Sequence, residues 1–393
     1  MKSSISKKIR KDSLANRLKG KSGYLPNQFI SMLSPLGIIR SEMAIDDSQI
    51  QPVSLDLRLG KKAYRIQSSF LPENDTVEAK LKDLMLYDFD LQQGGILEKG
   101  AVYLIPLMEE LVFPHDYCGR TNPKSSTGRL DMFTRVIVDR GHRFDEIPTG
   151  YKGKVYLEII SRTFPVKVHT GLKLNQLRIF RLDRRFNKDI TDKNLKKELG
   201  KKSLLYNHQG LPISWGQIKM DGGLFVGVDI SGDPGKDIVA YKAKHNSQVI
   251  DLSKIRHYHA EDFWEPVTAL KKNRLILEPE SFYIMMSKEK VCIWPHLLAE
   301  MIAYEPNSGE LRTHYAGFFD PGFGWHGENA ERQGTRAVME VRPHDVPFMV
   351  EDGQTFCRLK FEKIIDRPTK AYGKDLQSNY QKQGLALSKY FKS

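Results

Sequence analysis

The chain has 393 residues, 40% of them apolar and 28% charged, which is ordinary soluble usage and enough length for two or three domains. A chain of this make-up buries a sizeable core, so whole-chain disorder is excluded, and no apolar run approaches the roughly 18 residues of a membrane span. Its 61 Lys and Arg against 48 Asp and Glu leave a formal charge of +13, which favours an anionic partner, whether nucleic acid, nucleotide or acidic surface.

Residues 1–23 read as a basic flexible tail, with Lys2, Lys7, Lys8, Arg10 and Lys11 and no apolar stretch behind them. That is not the pattern of a secretory signal. Cys118, Cys292 and Cys357 are far apart and odd in number, which predicts no disulfide framework and a cytoplasmic setting. Beyond the tail, Asn27–Leu36 is a candidate helix. Val53-Ser-Leu-Asp-Leu-Arg-Leu59 alternates apolar and polar residues, as a half-buried strand does. Val155–Ile160, Val166–His169, Gln176–Leu182 and Arg358–Phe361 do likewise. Thr191–Leu199 and His296–Ala303 are the other candidate helices. Asp183–Lys202 is a second basic stretch. Short strands punctuated by Gly, Pro, Asn and Asp are the pattern of sandwiches and jelly rolls.

The chain repeats itself. Leu97–Pro106 matches Leu277–Met286 at an offset of 180, Gly171–Leu177 matches Gly353–Leu359 at 182, and Val53–Asp56 matches Val226–Asp229 at 173. Drifting offsets are what loop insertions between fixed strands produce. Residues 24–205 are read as a first unit, the catalytic one, and 206–393 as a second.

The richest segment is Gly119–Glu158. Lys124-Ser125-Ser126-Thr127-Gly128-Arg129 sets three hydroxyls and two cations within six residues, which can line an anion or form a plain surface turn. Arg140-Gly141-His142-Arg143-Phe144-Asp145 follows. Glu158 lies among Leu157, Ile159 and Ile160, so it either faces solvent by alternation or sits in a pocket. A zinc deaminase needs H-x-E followed by P-C-x-x-C; His259-Ala-Glu261 supplies only the first half, and no C-x-x-C exists. H-E-x-x-H, the P-loop and G-x-S-x-G are absent. Gly227–Gly235 opens no helix, and Phe318-Phe319 and Phe323-Gly-Trp325 read as core or loop anchors.

Together these segments resemble the dCTP deaminase branch of the dCTP deaminase/dUTPase family. Lys124–Leu130 looks like its [RK]-S-S-x-[AG]-R-L motif, His142–Asp145 like H-R-I-D, Leu157-Glu158 like its L-E, Gly171–Leu177 like G-M-x-I-x-Q-L, and Ile50–Gly60 like its early strand. The double length is similar to a bacterial form with two family units per chain. The second unit departs further: Asn307–Arg312 stands for the Ser/Arg motif, Phe318 replaces the arginine before Asp320, and Met339-Glu340 replaces Leu-Glu. In the first unit, Asp145 to Glu158 spans 13 positions, more than is usual in the family, and Glu-Ile-Pro replaces Pro-Gly.

The resemblance implies a mainly β fold, two tandem dUTPase-like distorted jelly-roll or β-barrel units with a few short helices. It implies metal-independent hydrolytic deamination of dCTP to dUTP, with Glu158 activating the water that attacks C4 and Arg143 as its neighbouring cation. Lys124, Ser125, Ser126 and Arg129 would hold the triphosphate, with Mg2+ bound through the substrate and no metal in the chemistry. Gly141, Arg143, Asp145 and Gln176 would read base and sugar. Tyr206 and Gln209 echo the nucleotide-covering tail of the C-terminus, to which Tyr372 and Gln383 belong. Ser308, Arg312, Asp320 and Glu340 are second-unit equivalents. A homotrimer or pseudo-trimer of units, inhibition by dTTP, no membrane and no nucleic-acid partner are the accompanying expectations. The alternatives are a dUTP diphosphatase, a bifunctional deaminase-diphosphatase, and a non-enzymatic basic β scaffold that binds nucleic acid.

Overall fold

A computed structural model describes residues 14–185, 190–232, 235, 237–270, 272–303, 311–313, 317–370 and 384–392. The fold is mainly β and the repeat is real. In the first unit, a six-stranded sheet runs Met85–Asp90, Lys62–Ile66, Val102–Val112, Lys152–Ser161, Met132–Val138, with Ile39–Ser41 on Val102–Val112. Beside it lies a five-stranded sheet in the order Gly23–Tyr24, Lys173–Arg181, Tyr117–Pro123, Glu146–Ile147, with Leu55–Arg58 on Lys173–Arg181. The second unit repeats this plan. Trp264–Thr268, Ile238–Ala243, Tyr283–Val291, Thr335–Pro343 and Leu311–Thr313 form one sheet; Leu224–Gly227, Thr355–Glu362, Leu298–Ala303 and Phe318–Phe319 form the other. The strand carrying Glu158 and the strand carrying Glu340 therefore occupy equivalent places.

Helices are short. Asn27–Leu33 and Asp192–Leu199 form as the sequence predicts, the latter capped by Thr191, whose hydroxyl accepts from Asn194 N at 3.3 Å. His296–Ala303 does not: Leu298–Ala303 is a strand between Thr355–Glu362 and Phe318–Phe319. Its run of small and aliphatic residues suits either element, and two strand neighbours decide the matter. The basic tail is also shorter than expected. Residues 14–18 are helical, and Leu14 and Leu18 are buried in the first core. No helix among the described residues is long and apolar enough to cross a membrane.

The first unit's core extends across the boundary into the second, which also keeps a core of its own. The first core takes in Tyr258, Phe263, Trp264, Phe282, Val338, Tyr390 and Phe391 from the second unit. Phe164 meets Phe263 at 5.8 Å between ring centroids, and Phe263 meets Phe391 at 5.3 Å, both edge to face. Val166–Val168 pairs in parallel with Ile250–Asp251 across the boundary. Polar clamps fix the register. Asn122 Oδ1 accepts from Gly317 N at 2.6 Å. The buried Arg178 donates to Ala299 O at 3.1 Å, Phe319 O at 3.0 Å and Asp320 Oδ1 at 3.1 Å. Two main-chain carbonyls and a carboxylate offset the cost of a charge this deep, although the buried Nε of Arg178 meets no acceptor among the described residues.

Candidate active site

The Ser/Arg loop grows out of strand Tyr117–Pro123 as one short helical turn, Ser125–Gly128, and runs on into Met132–Val138. It hangs on the neighbouring strand: Lys124 N and Thr127 Oγ1 both donate to Leu174 O, each at 2.9 Å. Lys124 Nζ pairs with Asp56 Oδ2, and Asp56 lies opposite Gln176 in the sheet. Gln176 accepts from Ser54 Oγ at 3.0 Å and so is held at the same wall. Ser126 and Arg129 are buried.

What faces this loop is not Glu158. It is Glu340, from the second unit. A Cβ built on Gly128 would lie 2.8 Å from Glu340 Oε1 and 3.0 Å from its Cδ, so the carboxylate rests on the bare glycine. Two positions along the same strand, hence on the same face, Arg342 pairs with Asp131 and donates to Thr163 Oγ1 at 2.9 Å. Thr163 Oγ1 in turn donates to Asp131 Oδ2 at 2.5 Å. Asp131 follows the motif arginine by two residues. This buried triad ties the strand of Glu340 to the loop of Arg129.

Asp320 belongs to the same place. Burial raises its pKa; Arg178 opposes the rise, with Lys124 also within electrostatic reach. The guanidinium of Arg178 stacks 3.9 Å from the ring centroid of Phe318. Where the second unit lacks the motif arginine, an arginine of the first unit covers the substituted phenylalanine.

The segment beyond the tail also reaches the loop. Ser388 Oγ donates to Ser126 O at 2.6 Å, and Arg129 Nη1 donates to Ala386 O at 3.0 Å.

Glu158 is held otherwise. It is fully buried, and Arg135 donates to its Oε1 from Nε at 2.9 Å and from Nη2 at 2.5 Å. The same Nη2 donates to Ser69 Oγ at 2.8 Å, while the guanidinium lies 3.7 Å from the Phe144 ring centroid and 4.7 Å from that of Phe133. Arg135 therefore holds the place assigned to Arg143, whose largely exposed side chain meets Glu146 at 3.4 Å. Over this cluster folds an arm from the first unit. Glu73 N donates to Gly141 O at 3.3 Å, Arg140 N to Asp75 O at 2.9 Å, and Val77 N to Asp139 Oδ1 at 2.8 Å. Gly141 was expected to help read base and sugar, and its carbonyl is taken by the protein itself. Gly141 and Arg143 instead line a cleft of about 660 Å³ with Arg120 and Glu362.

Asp145 stays near Glu158, with a left-handed φ of 63° and its carboxylate accepting from Val136 N at 2.9 Å and Thr121 Oγ1 at 2.8 Å. Burial pushes its pKa up to about 7. Tyr206 and Gln209 do not join either cluster. Tyr206 pairs with Lys290, six residues along its strand from Ile284, the partner of Glu340, a separation of about 20 Å at the strand rise. Ser308, Tyr372, Gln383 and the side chain of Arg312 lie outside the described residues. Arg135, Arg178, Asp131, Arg342 and Ser388 carry no motif and were invisible in the sequence. Only the paired aspartates Asp56 and Asp229 of the repeat offered a hint.

Family models match nearly the whole chain: the N-terminal domain of 2'-deoxycytidine 5'-triphosphate deaminase over residues 21–183 and its C-terminal domain over 191–391. The chain belongs to the dCTP deaminase family. It is similar to the dUMP-forming dCTP deaminase of Acidothermus cellulolyticus, 31% identical over 152 residues, which is 36% of this chain and 76% of that protein. It is also similar to the dUMP-forming dCTP deaminase of Streptomyces coelicolor, 31% identical over 138 residues, 35% of this chain and 69% of that one. The crystal structure of 2'-deoxycytidine 5'-triphosphate deaminase from Agrobacterium tumefaciens superposes with a TM-score of 0.80 at 42% identity, over 88% of this chain and 99% of the other. The chain carries two dUTPase-like units, and it is an enzyme of the hydrolase class.

Proposed function

We propose that this chain deaminates dCTP hydrolytically to dUTP and ammonia, at the site where the Ser/Arg loop of the first unit meets Glu340 of the second. The observation that carries this is the contact of the Glu340 carboxylate with Gly128. Glu340 takes the role the sequence assigns to Glu158. It removes a proton from the water that attacks C4 of the cytosine and returns protons to N3 and to the departing amine. Acid–base help of this kind is worth about 10²–10⁴ in rate. Lys124, Ser125, Ser126 and Arg129 hold the triphosphate, and Mg2+ enters with it as part of the substrate. Asp320, the counterpart of Asp145 and the partner of Arg178, reads the sugar together with Gln176. The enclosed setting strengthens each of these contacts.

A second reading is that the same site also cleaves the triphosphate. The curated relatives are named as dUMP-forming, which favours it. The deciding test is incubation with dCTP, measuring ammonia and pyrophosphate separately. Ammonia without pyrophosphate supports the dUTP-forming reading; the two in equal amounts support the dUMP-forming one. No ammonia overturns both.

A further inference from the structure

Resting on that reading, we infer that Ser388 is a positioning residue of the triphosphate site: from a C-terminal segment seated on the second unit, its hydroxyl fixes the Ser/Arg loop of the first. Residues 386–392 lie beyond the segment expected to cover the nucleotide, and they are anchored through their own main chain. Arg256 N donates to Lys389 O at 3.0 Å, His257 N and Tyr258 N donate to Tyr390 O at 2.9 Å and 3.1 Å, and Lys392 N donates to Tyr258 O at 2.8 Å. Phe391 is buried against Phe263 and Trp264, with ring centroids 5.3 Å and 5.9 Å away. Phe391 N also donates to Ser388 O at 3.1 Å, which closes a turn that starts at the serine. Ser388 is therefore presented from a fixed base.

From Lys124 to Gly128, the Ser/Arg turn satisfies every carbonyl but one from its own main chain. Thr127 N and Gly128 N donate to Lys124 O, Arg129 N to Ser125 O, Leu130 N to Thr127 O and Asp131 N to Gly128 O, at 2.8 to 3.1 Å. Among the described residues, no main-chain N–H reaches Ser126 O, which this succession skips. The buried Ser388 hydroxyl takes that place, donating at 2.6 Å. The peptide unit that joins Ser126 to Thr127 is thus held at both ends, its carbonyl by Ser388 and its N–H by Lys124 O. A planar unit pinned at both ends does not turn. That matters to an anion. A carbonyl free to rotate toward a triphosphate would repel it, and the rotation would displace the donors of the same turn. Two positions earlier, Ala386 O accepts from Arg129 Nη1 at 3.0 Å, so the same segment also orients the motif arginine. Ser388 acts through the loop and is not itself a ligand of the phosphates.

The experiment uses the full chain, with Ser388→Ala and Ser388→Thr, and inorganic tripolyphosphate as the probe in a calorimetric titration. Ser388→Ala leaves the Ser126 carbonyl buried without a donor and should weaken tripolyphosphate binding about tenfold. Ser388→Thr keeps the hydroxyl and should stay within about threefold of wild type. In parallel, KM for dCTP should rise about tenfold in Ser388→Ala at little-changed kcat, while binding of deoxycytidine is unaltered. Unaltered tripolyphosphate binding in Ser388→Ala overturns the proposal even where ammonia release is intact. Equal weakening of deoxycytidine and tripolyphosphate overturns it too, since that marks a general structural defect. So does equal weakening in Ser388→Ala and Ser388→Thr at wild-type unfolding midpoints, because the hydroxyl is then not the agent. Selective weakening of tripolyphosphate in Ser388→Ala, with no ammonia release from wild type, keeps Ser388 as a positioning residue of an anion site and sinks the deaminase reading instead. Should Ser388→Ala fail to fold, Ser388→Cys, of similar shape and with a weaker donor, replaces it with the same expectations.

Discussion

Two glutamates occupy equivalent strands of two equivalent units and meet opposite fates. Glu158 is taken up by Arg135 of its own sheet, under an arm that also occupies the Gly141 carbonyl. Glu340 is carried across the unit boundary onto the Ser/Arg loop. The losses in sequence are complementary. The first unit keeps the phosphate motif and alters the loop between Asp145 and Glu158; the second keeps Asp-Pro-Gly and Glu340 and loses the Ser/Arg motif. The equivalent aspartates follow suit: Asp56 pairs with Lys124 of the motif, whereas Asp229 pairs with Arg336 at 3.0 Å inside its own unit. Duplication lets each copy shed the half it no longer uses, provided the halves that remain face each other.

The sharpest way to break this comparison is to neutralise each glutamate in turn. Glu340→Gln should lower ammonia release by about 10³ while dCTP still binds, because only the proton-accepting group is lost. Glu158→Gln should leave turnover per folded chain within about threefold of wild type. Its cost falls on stability, since Arg135 loses its buried counter-charge, and a loss on the order of 3 kcal/mol in denaturant unfolding is expected. The reverse pattern, with Glu158→Gln inactive and Glu340→Gln active, returns the chemistry to the first unit.

A smaller effect probes the clamp between them. Arg342→Lys keeps a charge near Asp131 but cannot bond Asp131 and Thr163, both reached from Nη2, while also reaching the Glu280 carbonyl, which Arg342 bonds from Nη1. Glu340 should then lose its fixed approach, with kcat down about tenfold to a hundredfold and KM little changed. Steady-state kinetics on dCTP, normalised to the folded fraction read from denaturant unfolding, separates this from a general loss of structure, which lowers the apparent kcat at unchanged KM but leaves kcat per folded chain at the wild-type value.

Much of the architecture was legible because it rests on local alternation and on a repeat long enough to detect. The strands at 155–160, 166–168 and 176–181 needed no tertiary information. The strand at Leu298–Ala303 did, since only its neighbours tell a buried strand from a short helix there. The phosphate loop was legible as a cluster of hydroxyls and cations. Its partner was not, because a glutamate on an apolar strand looks the same in both units. What distinguishes the two is Arg135 in one and Gly128 in the other, each supplied by a segment remote in sequence from the glutamate it meets. The tail ending at Gly384 was noticed for its motif, while Ser388 just beyond it had no pattern to mark it.

The comparison of the two aspartates can be sharpened by pH. Asp320 receives a hydrogen bond from an arginine; Asp145 receives neutral donors, Val136 N and Thr121 Oγ1. With its pKa raised from 3.8 to about 7, Asp145 holds a proton in the folded state that the unfolded chain releases. Folding is therefore favoured at low pH, and this contribution is lost as pH rises from about 4 to 7. Asp145→Asn keeps an acceptor for both donors and removes the titration. Its stability relative to wild type should grow by roughly 1.4 kcal/mol per pH unit between pH 5 and 7 and then level off. Denaturant unfolding at pH 5, 6, 7 and 8 reads this directly, and a flat difference would show that Asp145 is already charged in the native state.

The smallest change bears on the contact that defines the site. Gly128→Ala places a methyl group 2.8 Å from Glu340 Oε1, closer than such atoms normally approach. The obstacle is the end of a flexible side chain, so the fold has little to lose and the carboxylate simply withdraws by a few tenths of an ångström. A base displaced by that much should cost a few-fold in kcat, with KM and unfolding midpoint close to wild type. Combining Gly128→Ala with Glu340→Gln gives the decisive arithmetic. If the alanine acts only through Glu340, it adds no further loss once the carboxylate is gone, and the two effects are non-additive. If it acts on the Ser/Arg loop itself, the losses multiply, and the meeting of Gly128 with Glu340 is then incidental to the chemistry.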